Sequence, residues 1–319
     1  MGELTVTVRA VRDEAADVRS FELASADGAA LPPFTAGAHI DVHVAPGLVR
    51  QYSLCNDPRE TDRYVIAVKR EPASRGGSQA MHERVRAGDR LTIGAPRNNF
   101  ALASGAAHHL LFAGGIGITP LLAMARHLLA AGASFQLVYF SRSIAHTAFH
   151  DLLSRPEYRG RVAFHYALEP EQVRAYVRKL LWHRPKDAHL YLCGPRPFMD
   201  LVETTAASTW PPEAVHLEYF AADPAALGGP REHFVVKLAR HGGEFEIPDG
   251  RTIIEVLAEK GIVVDTSCEQ GVCGTCITGV LEGEPDHRDV FLTDAEKRAG
   301  DRMTVCVSRA KTPRLVLDL

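Results

Sequence analysis

Cys268-Glu269-Gln270-Gly271-Val272-Cys273-Gly274-Thr275-Cys276 is followed, after 29 further residues, by Cys306. Four thiolates in a C-x4-C-x2-C...C pattern suit two irons and two sulfides, because three ligands converge from one loop of small residues and a distal one closes the set. Gly271, Gly274 and Thr275 suit a loop whose backbone amides face sulfur. Buried free thiols and a zinc site are the alternatives, although zinc favours paired short spacings over one isolated distal cysteine. The reading taken forward is a 2Fe-2S site on Cys268, Cys273, Cys276 and Cys306, carried by a separate C-terminal module. Cys55 and Cys193 stand outside the pattern.

Working outward, residues 232–319 hold 16 acidic and 11 basic side chains, so this piece is acidic while the whole chain, at net charge -3, is nearly balanced. Two strand candidates at 234–239 and 244–247 and a helix at 253–260 precede the cysteines. A Gly/Pro/Ala stretch, read as a linker over 224–231, separates the module from what comes before. Upstream, over 103–223, apolar strands alternate with helical segments, a grammar that implies a parallel, doubly wound α/β sheet. The strands are expected at 110–113, 135–140, 162–167, 189–193 and 215–220. Over 1–102 the stretches 4–8, 38–44 and 64–69 alternate with period two between turn residues and predict a small antiparallel β-barrel. With 319 residues the chain is too long for one ordinary core.

Three further motifs carry chemistry. Arg50-Gln51-Tyr52-Ser53 places a guanidinium, a flat ring and a hydroxyl on one strand, the parts needed to hold a phosphate and a planar cofactor. Arg75-Gly76-Gly77-Ser78 brings backbone amides to the start of a helical stretch, which suits a phosphate. Gly114-Gly115-Ile116-Gly117-Ile118-Thr119-Pro120 lies between the first strand and helix of the parallel sheet, with Thr119 the expected N-cap and Pro120 the first helical residue. It is not G-x-G-x-x-G, since Pro120 takes the place of the third glycine, so a standard Rossmann reading is excluded. Read alone, each of these three is equally a strand edge or a structural turn.

Taken in order, these motifs resemble the phthalate dioxygenase reductase family and the reductase components of vanillate O-demethylase-type oxygenases, with residues 234–319 resembling a plant-type ferredoxin of β-grasp fold. The resemblance implies a flavin barrel, a ferredoxin-reductase-type nicotinamide domain and a C-terminal ferredoxin. It implies FMN, held by Arg50, Gln51, Tyr52, Ser53, Ala67, Val68, Lys69, Arg75, Gly76, Gly77 and Ser78, with Ser53 near the flavin N5. Gly114, Gly115, Gly117, Thr119, Pro120, Arg142, Ser143, Cys193, Gly194 and Pro195 are implied for the nucleotide. Phe220, at the end of the fifth strand, is implied to lie against the flavin, and Ser53, Cys193 and Phe220 to act at the reacting centre. NADH is implied over NADPH, and the acceptor is implied to be a Rieske non-haem iron oxygenase acting on an aromatic acid or methyl ether. A cytochrome P450 or diiron hydroxylase is the alternative acceptor, and a non-enzymatic redox sensor the alternative of another class.

The remaining sequence excludes more than it adds. Net charge gives no field for nucleic acid or anionic lipid. No apolar run reaches the roughly 18 residues of a membrane span, and the first 23 residues lack a signal-peptide core, so a cytoplasmic monomer is expected. The 15 histidines show no ligand spacing, and neither H-E-x-x-H nor G-x-S-x-G occurs. No Rieske Cys-x-His, facial-triad or haem motif is present, so electrons are expected to leave the chain. The acidic run Glu282, Glu284, Asp286, Asp289 and Asp294 reads as a solvated face or a docking surface.

Overall fold

The structure, a computed structural model, describes residues 2–72, 76–221 and 232–319. It divides into two units, Met1–Glu218 and Tyr219–Leu319. Arg75 and the linker stretch 224–231 lie outside the described residues.

Strands β1 (Glu3–Ala15), β2 (Val18–Ser25), β3 (His39–Ala45), β4 (Leu48–Ser53), β5 (Tyr64–Lys69) and, after helix α1 (Gly77–Arg84), β6 (Arg90–Gly94) form one antiparallel sheet in the order β4-β3-β6-β1-β2-β5. Period-two alternation gives each strand one apolar face, and Val6, Val8, Phe21, Leu23, Ile40, Val42 and Ile66 bury together on it. The sheet curls so that its edges meet at the Leu54–Ile66 bridge, and Cys55 N donates to Val65 O at 2.8 Å. Closure of this kind leaves few strand edges open. Helix α1 buries Met81 in the same core, and His82 Nε2 lies 2.8 Å from Val68 O, pinning the helix to β5.

The same unit continues through β7 (His108–Gly114), α2 (Ile118–Ala130), β8 (Phe135–Ser141), α3 (His150–Leu153), β9 (Val162–Tyr166), α4 (Pro170–Leu181), β10 (Ala188–Cys193), α5 (Arg196–Ala206) and β11 (Val215–Glu218). The strands run parallel in the order β11-β10-β7-β8-β9. Strand order reverses at β7, so the C-terminal ends of β7 and β10 flank the crevice where doubly wound sheets take ligands. Two expectations need correction. A 3-10 turn, Gly115–Gly117, runs straight into α2 at Ile118, with Gly117 rather than Thr119 as the N-cap. The Thr119 hydroxyl instead donates back to Ile116 O at 3.1 Å. The fifth strand stops at Glu218, so Phe220 lies two residues beyond it.

The second unit contains β12 (Phe234–Leu238), β13 (Glu244–Ile247), α6 (Ile253–Glu259), β14 (Ile277–Glu282), β15 (Pro285–Asp286), α7 (Asp294–Ala299), β16 (Arg302–Thr304), β17 (Arg309–Ala310) and β18 (Arg314–Leu317). Its main sheet runs β13-β12-β18-β14-β16, with β12 and β18 parallel and the other pairs antiparallel. A Thr252–Glu255 capping box starts α6, whose Ile253, Val256 and Leu257 join the core beside Cys276 and Cys306. A helix laid on a mixed sheet with first and last strands parallel is the β-grasp arrangement. Among the described residues no helix is long and apolar enough to cross a membrane.

Candidate redox centres

All four predicted ligands are buried, at 3% to 7% exposure. Cys268 and Cys273 hydrogen-bond through their thiols, and Cys276 does the same with Cys306. That pairing would offer each of two irons two protein sulfurs. The thiol bond from Cys268 holds Cys273 down to about 5, and the partner thiol lowers Cys276 as well, while Cys268 and Cys306 are pushed up by their paired thiols and by burial. Gln270 N donates to Cys268 Sγ at 3.3 Å and Thr275 N to Cys273 Sγ at 3.5 Å, so backbone amides face sulfur as the loop composition predicts.

Two glycines make that loop possible. Gly271 and Gly274 have φ of +68° and +74°, where a side chain is strained. A Cβ on Gly271 would lie 2.6 Å from Val307, and one on Gly274 would lie 2.5 Å from the Phe291 ring. Asp289 supports the loop from behind: its Oδ2 accepts from Phe291 N and Leu292 N, and Val290 N donates to Gly271 O at 3.0 Å. Asp289 is therefore part of the cluster scaffold, and the acidic run is not uniformly a solvated face.

In the first unit, Arg50 lies across the start of α1. A Cβ on Gly77 would meet Arg50 Cγ at 2.5 Å and Nε at 2.8 Å, so the Arg50 side chain lies directly against the start of the helix and would have to move to admit one. Gly76, in the left-handed region at φ 87°, turns the chain into the helix. The two sequence motifs thus lie side by side, and a cation beside a helix N-terminus is an arrangement that suits a phosphate. Ser78 Oγ accepts from Glu71 N at 3.2 Å, and Lys69 pairs with Glu71 at 2.6 Å. Ala67 and Val68 are buried in β5, paired with Ser20 and Arg19. Burial raises the Tyr52 phenol above its ordinary value, so its ring stays neutral. Gln51 donates to Asp41 at 3.1 Å and makes part of the β3–β4 surface.

The C-terminal ends of β10 and β11 meet β4. Cys193 pairs in register with Glu218, and Ser53 hydrogen-bonds the Glu218 carboxyl. Burial raises Glu218 to about 8, only partly offset by the Ser53 bond, so this acid is protonated at neutral pH. Burial, with Glu218 beside it, raises the Cys193 thiol well above its ordinary value and makes it an inert neutral group. Glu218 is the residue that sequence reasoning missed; a carboxylate closing an apolar strand was its signal.

The Gly-rich turn packs against this centre. A Cβ on Gly117 would fall 2.1 Å from Cys193 O, and one on Gly114 would fall 2.9 Å from Pro195 Cδ, while Gly194 approaches Gly114 Cα within 3.0 Å of its own missing Cβ. These glycines let β7 and β10 converge. Gly115, at φ +53° with nothing within 4 Å, is the one beside open space. Thr119 and Pro120 are buried. Arg142 pairs with Asp17 at 3.0 Å and Ser143 Oγ with His146 Nδ1 at 2.8 Å, so both are tied to protein neighbours. Phe220, 40% exposed, belongs to the second unit.

The protonated Glu218 has a measurable signature. An acid raised from 4.5 to about 8 by folding keeps its proton while the unfolded chain loses it, so stability falls as pH rises across that window. Glu218→Gln is expected to remove this contribution. Gln mimics the protonated acid, so the melting temperatures of the two proteins should agree most closely at the acid limit and diverge as pH rises, the parent becoming the less stable; a constant gap contradicts the assignment.

A parallel-sheet crevice in one unit with an antiparallel barrel, and four paired thiols in the same chain, suit electron transfer, and the class so defined is an iron–sulfur oxidoreductase of ferredoxin-reductase build. Residues 236–311 match the 2Fe-2S iron-sulfur cluster binding domain family. A vanillate O-demethylase oxidoreductase from a Pseudomonas species is 47% identical over 317 residues, 99% of this chain and 100% of its own. The solved structure of phthalate dioxygenase reductase, described as modular for electron transfer from pyridine nucleotides to 2Fe-2S, is 43% identical with a TM-score of 0.79, and the match covers 100% of this chain and 98% of that one. An intact type IV self-sufficient cytochrome P450 monooxygenase is 34% identical with a TM-score of 0.84, over 99% of this chain and 41% of the larger one. The chain belongs to the phthalate dioxygenase reductase and vanillate O-demethylase oxidoreductase family.

Proposed function

We propose that the chain is the NADH-dependent reductase component of an oxygenase system, taking electrons from NADH by way of FMN and a 2Fe-2S cluster to a Rieske non-haem iron oxygenase acting on an aromatic acid or methyl ether. The observation that carries this is the pairing of the four thiols two by two, in one chain with the Ser53–Glu218–Cys193 centre. When bound, the nucleotide supplies a hydride, the flavin splits its electron pair and the cluster carries single electrons; the protein contributes binding, orientation and electrostatics. Arg50 and the amides at Gly76 and Gly77 hold phosphate. Tyr52 flanks the ring, and Ser53 addresses the reacting edge, its hydroxyl steadied by neutral Glu218. Neutral Cys193 and Glu218 line the hydride path without adding charge to it. On the ferredoxin unit, Cys268 and Cys273 would hold one iron and Cys276 and Cys306 the other.

NADH is favoured over NADPH because a 2'-phosphate seeking Arg142 must compete with Asp17. We place the protein in the cytoplasm as a monomer that meets its partner transiently, in keeping with reduced buried thiols and the small contacts of electron-transfer encounters. The domain limits 1–102, 103–223 and 232–319 are kept as the working division. A cytochrome P450 as acceptor is the second reading, favoured by the match to a self-sufficient P450. Turnover with purified Rieske oxygenases and P450s separates the two; reduction of neither acceptor, with no NADH-driven ferricyanide reduction, leaves the redox sensor.

Arg50→Ala is expected to weaken flavin binding about 10- to 100-fold, since a charge-assisted hydrogen bond contributes about 1.5–3 kcal/mol. Flavin absorbance per chain after gel filtration measures this, and unchanged occupancy contradicts the cradle.

A further inference from the structure

Histidines gather on one face of the parallel sheet. His109 on β7 pairs in register with His189 on β10, and Tyr191 on β10 pairs with His216 on β11. Residues two apart on a strand share a face, and the His216 ring packs against both Tyr191 and His189. Its centre lies 4.5 Å from that of Tyr191 with the planes 12° apart, and 5.2 Å from that of His189 at 19°. His189 Nδ1 and His216 Nε2 are 2.9 Å apart, a hydrogen bond between two imidazoles. His109 is tilted toward Tyr191 at 5.8 Å and is buried, and its Nδ1 has no hydrogen-bond partner among the described residues. His108, bonded to Ser134 Oγ at 2.8 Å, and His127 of α2 lie close enough to act on His109 by charge.

This stack stands directly beneath the reacting centre. Cys193 and Glu218 are the next pair along β10 and β11 on the same face as Tyr191 and His216. The Tyr191 hydroxyl accepts from Ala103 N at 2.7 Å, and its ring meets Phe100 edge-on at 6.0 Å, so Tyr191 ties down the segment that leads from the barrel into β7.

A hydrogen bond between two imidazoles needs one bare nitrogen, so the His189–His216 pair can take up one proton but not a second. A second proton sets N–H against N–H and places two like charges side by side. Asp187 and Glu213 face His189 and oppose that charge, whereas Arg184 adds to it. Burial lowers His108, His189 and His216, and burial reinforced by the neighbouring histidines lowers His109 to about 4. A histidine lowered by folding stabilises the fold fully above its ordinary value of 6.5, and that contribution is lost as pH falls toward the folded value. His189 and His216 are half-buried, so protons from solvent reach them.

We propose that the stack is an acid-sensitive support: neutral histidines hold Tyr191 and the ends of β10 and β11 in place, and their protonation in mild acid frees the Phe100–Ala103 segment and draws Glu218 and Cys193 out of line, switching hydride transfer down reversibly. The loosening stands on the stack alone, while its effect on hydride transfer rests on the roles proposed above for Ser53, Cys193 and Glu218.

The flavin-loaded full chain, His109→Leu and His216→Gln are compared between pH 7.5 and pH 5. Both tryptophans of the chain, Trp182 and Trp210, lie in Met1–Glu218, so their fluorescence reports the melting of this unit alone. Leu binds no proton, and Gln keeps a group that can bond His189 Nδ1. Groups common to all three proteins, Glu218 and the surface carboxylates among them, cancel in the comparison. On going to pH 5 the parent should lose about 4–8 °C more in melting temperature than His109→Leu, and more than His216→Gln as well. In the parent, protection of the Ala103 amide against hydrogen exchange, corrected for the intrinsic effect of pH, should fall about tenfold or more. NADH-driven ferricyanide reduction should fall with it, and both should recover at pH 7.5. Equal loss of melting temperature in the parent and either folded variant, Ala103 protection that ignores pH, or Ala103 release with no loss of rate overturns the proposal. A parent chain inactive at both pH values defeats the flavin assignment instead, and the melting and exchange results still decide the support.

Discussion

Cys276→Ser is expected to stop electron delivery to one-electron protein acceptors while NADH still bleaches the flavin. Cys276 and Cys306 form one of the two thiol pairs, so the substitution strips a sulfur from one iron and leaves the other pair in place. Loss of an outer-shell partner alone costs about 10- to 100-fold in metal affinity, and a ligand costs more. Phe220 apart, the residues proposed for the flavin lie in Met1–Glu218 and the cysteines in the other unit, so the first half-reaction is expected to survive. Stopped-flow bleaching by NADH, run beside reduction of cytochrome c, distinguishes the two halves. If both halves fail together, the separation of roles between the units is wrong.

That separation was largely legible in the sequence, because cysteine spacing and strand periodicity are local. Three of the four cluster cysteines, the barrel-then-parallel-sheet order and the Arg50 motif follow from residues within a few positions of one another, and Cys306 completes the set at a distance. What escaped was long-range. Glu218 looks like the end of a strand until the fold sets it in register with Cys193 and against Ser53. His39 alternates with Asp41 and His43 as if facing water, but it is buried, and its backbone pairs with Arg97. Arg142 reads as a phosphate ligand until Asp17, 125 residues away in sequence, is seen beside it. Of the three glycines in the Gly-rich turn, Gly114 and Gly117 also serve the contact between neighbouring strand ends, which no local pattern reveals.

Gly117→Ala carries the second large effect for that reason. Gly117 has φ of −61°, which any residue adopts, so the penalty is purely steric: the new methyl would sit 2.1 Å from Cys193 O and 2.3 Å from its carbonyl carbon. Both are backbone atoms, and the chain must shift to admit it. Overpacking of this kind costs about 3 kcal/mol, or roughly 5–10 °C in melting temperature for a unit of this size. The shift also moves Cys193 and its neighbour Glu218 away from Ser53, so hydride transfer should fall more steeply than stability. Gly115→Ala, with open space at its Cβ but a left-handed backbone, should cost only about 1–2 kcal/mol and is the control. Equal behaviour of the two variants contradicts the packing role of Gly117.

Anaerobic titration of the purified chain with NADH, followed by electron paramagnetic resonance together with iron and acid-labile sulfide determination, is the most direct check. The expected result is two irons and two sulfides per chain, and a reduced-cluster signal that appears on NADH addition without any partner protein present. A chain that carries its full iron and sulfide and bound flavin, yet shows no cluster reduction by NADH, contradicts the account.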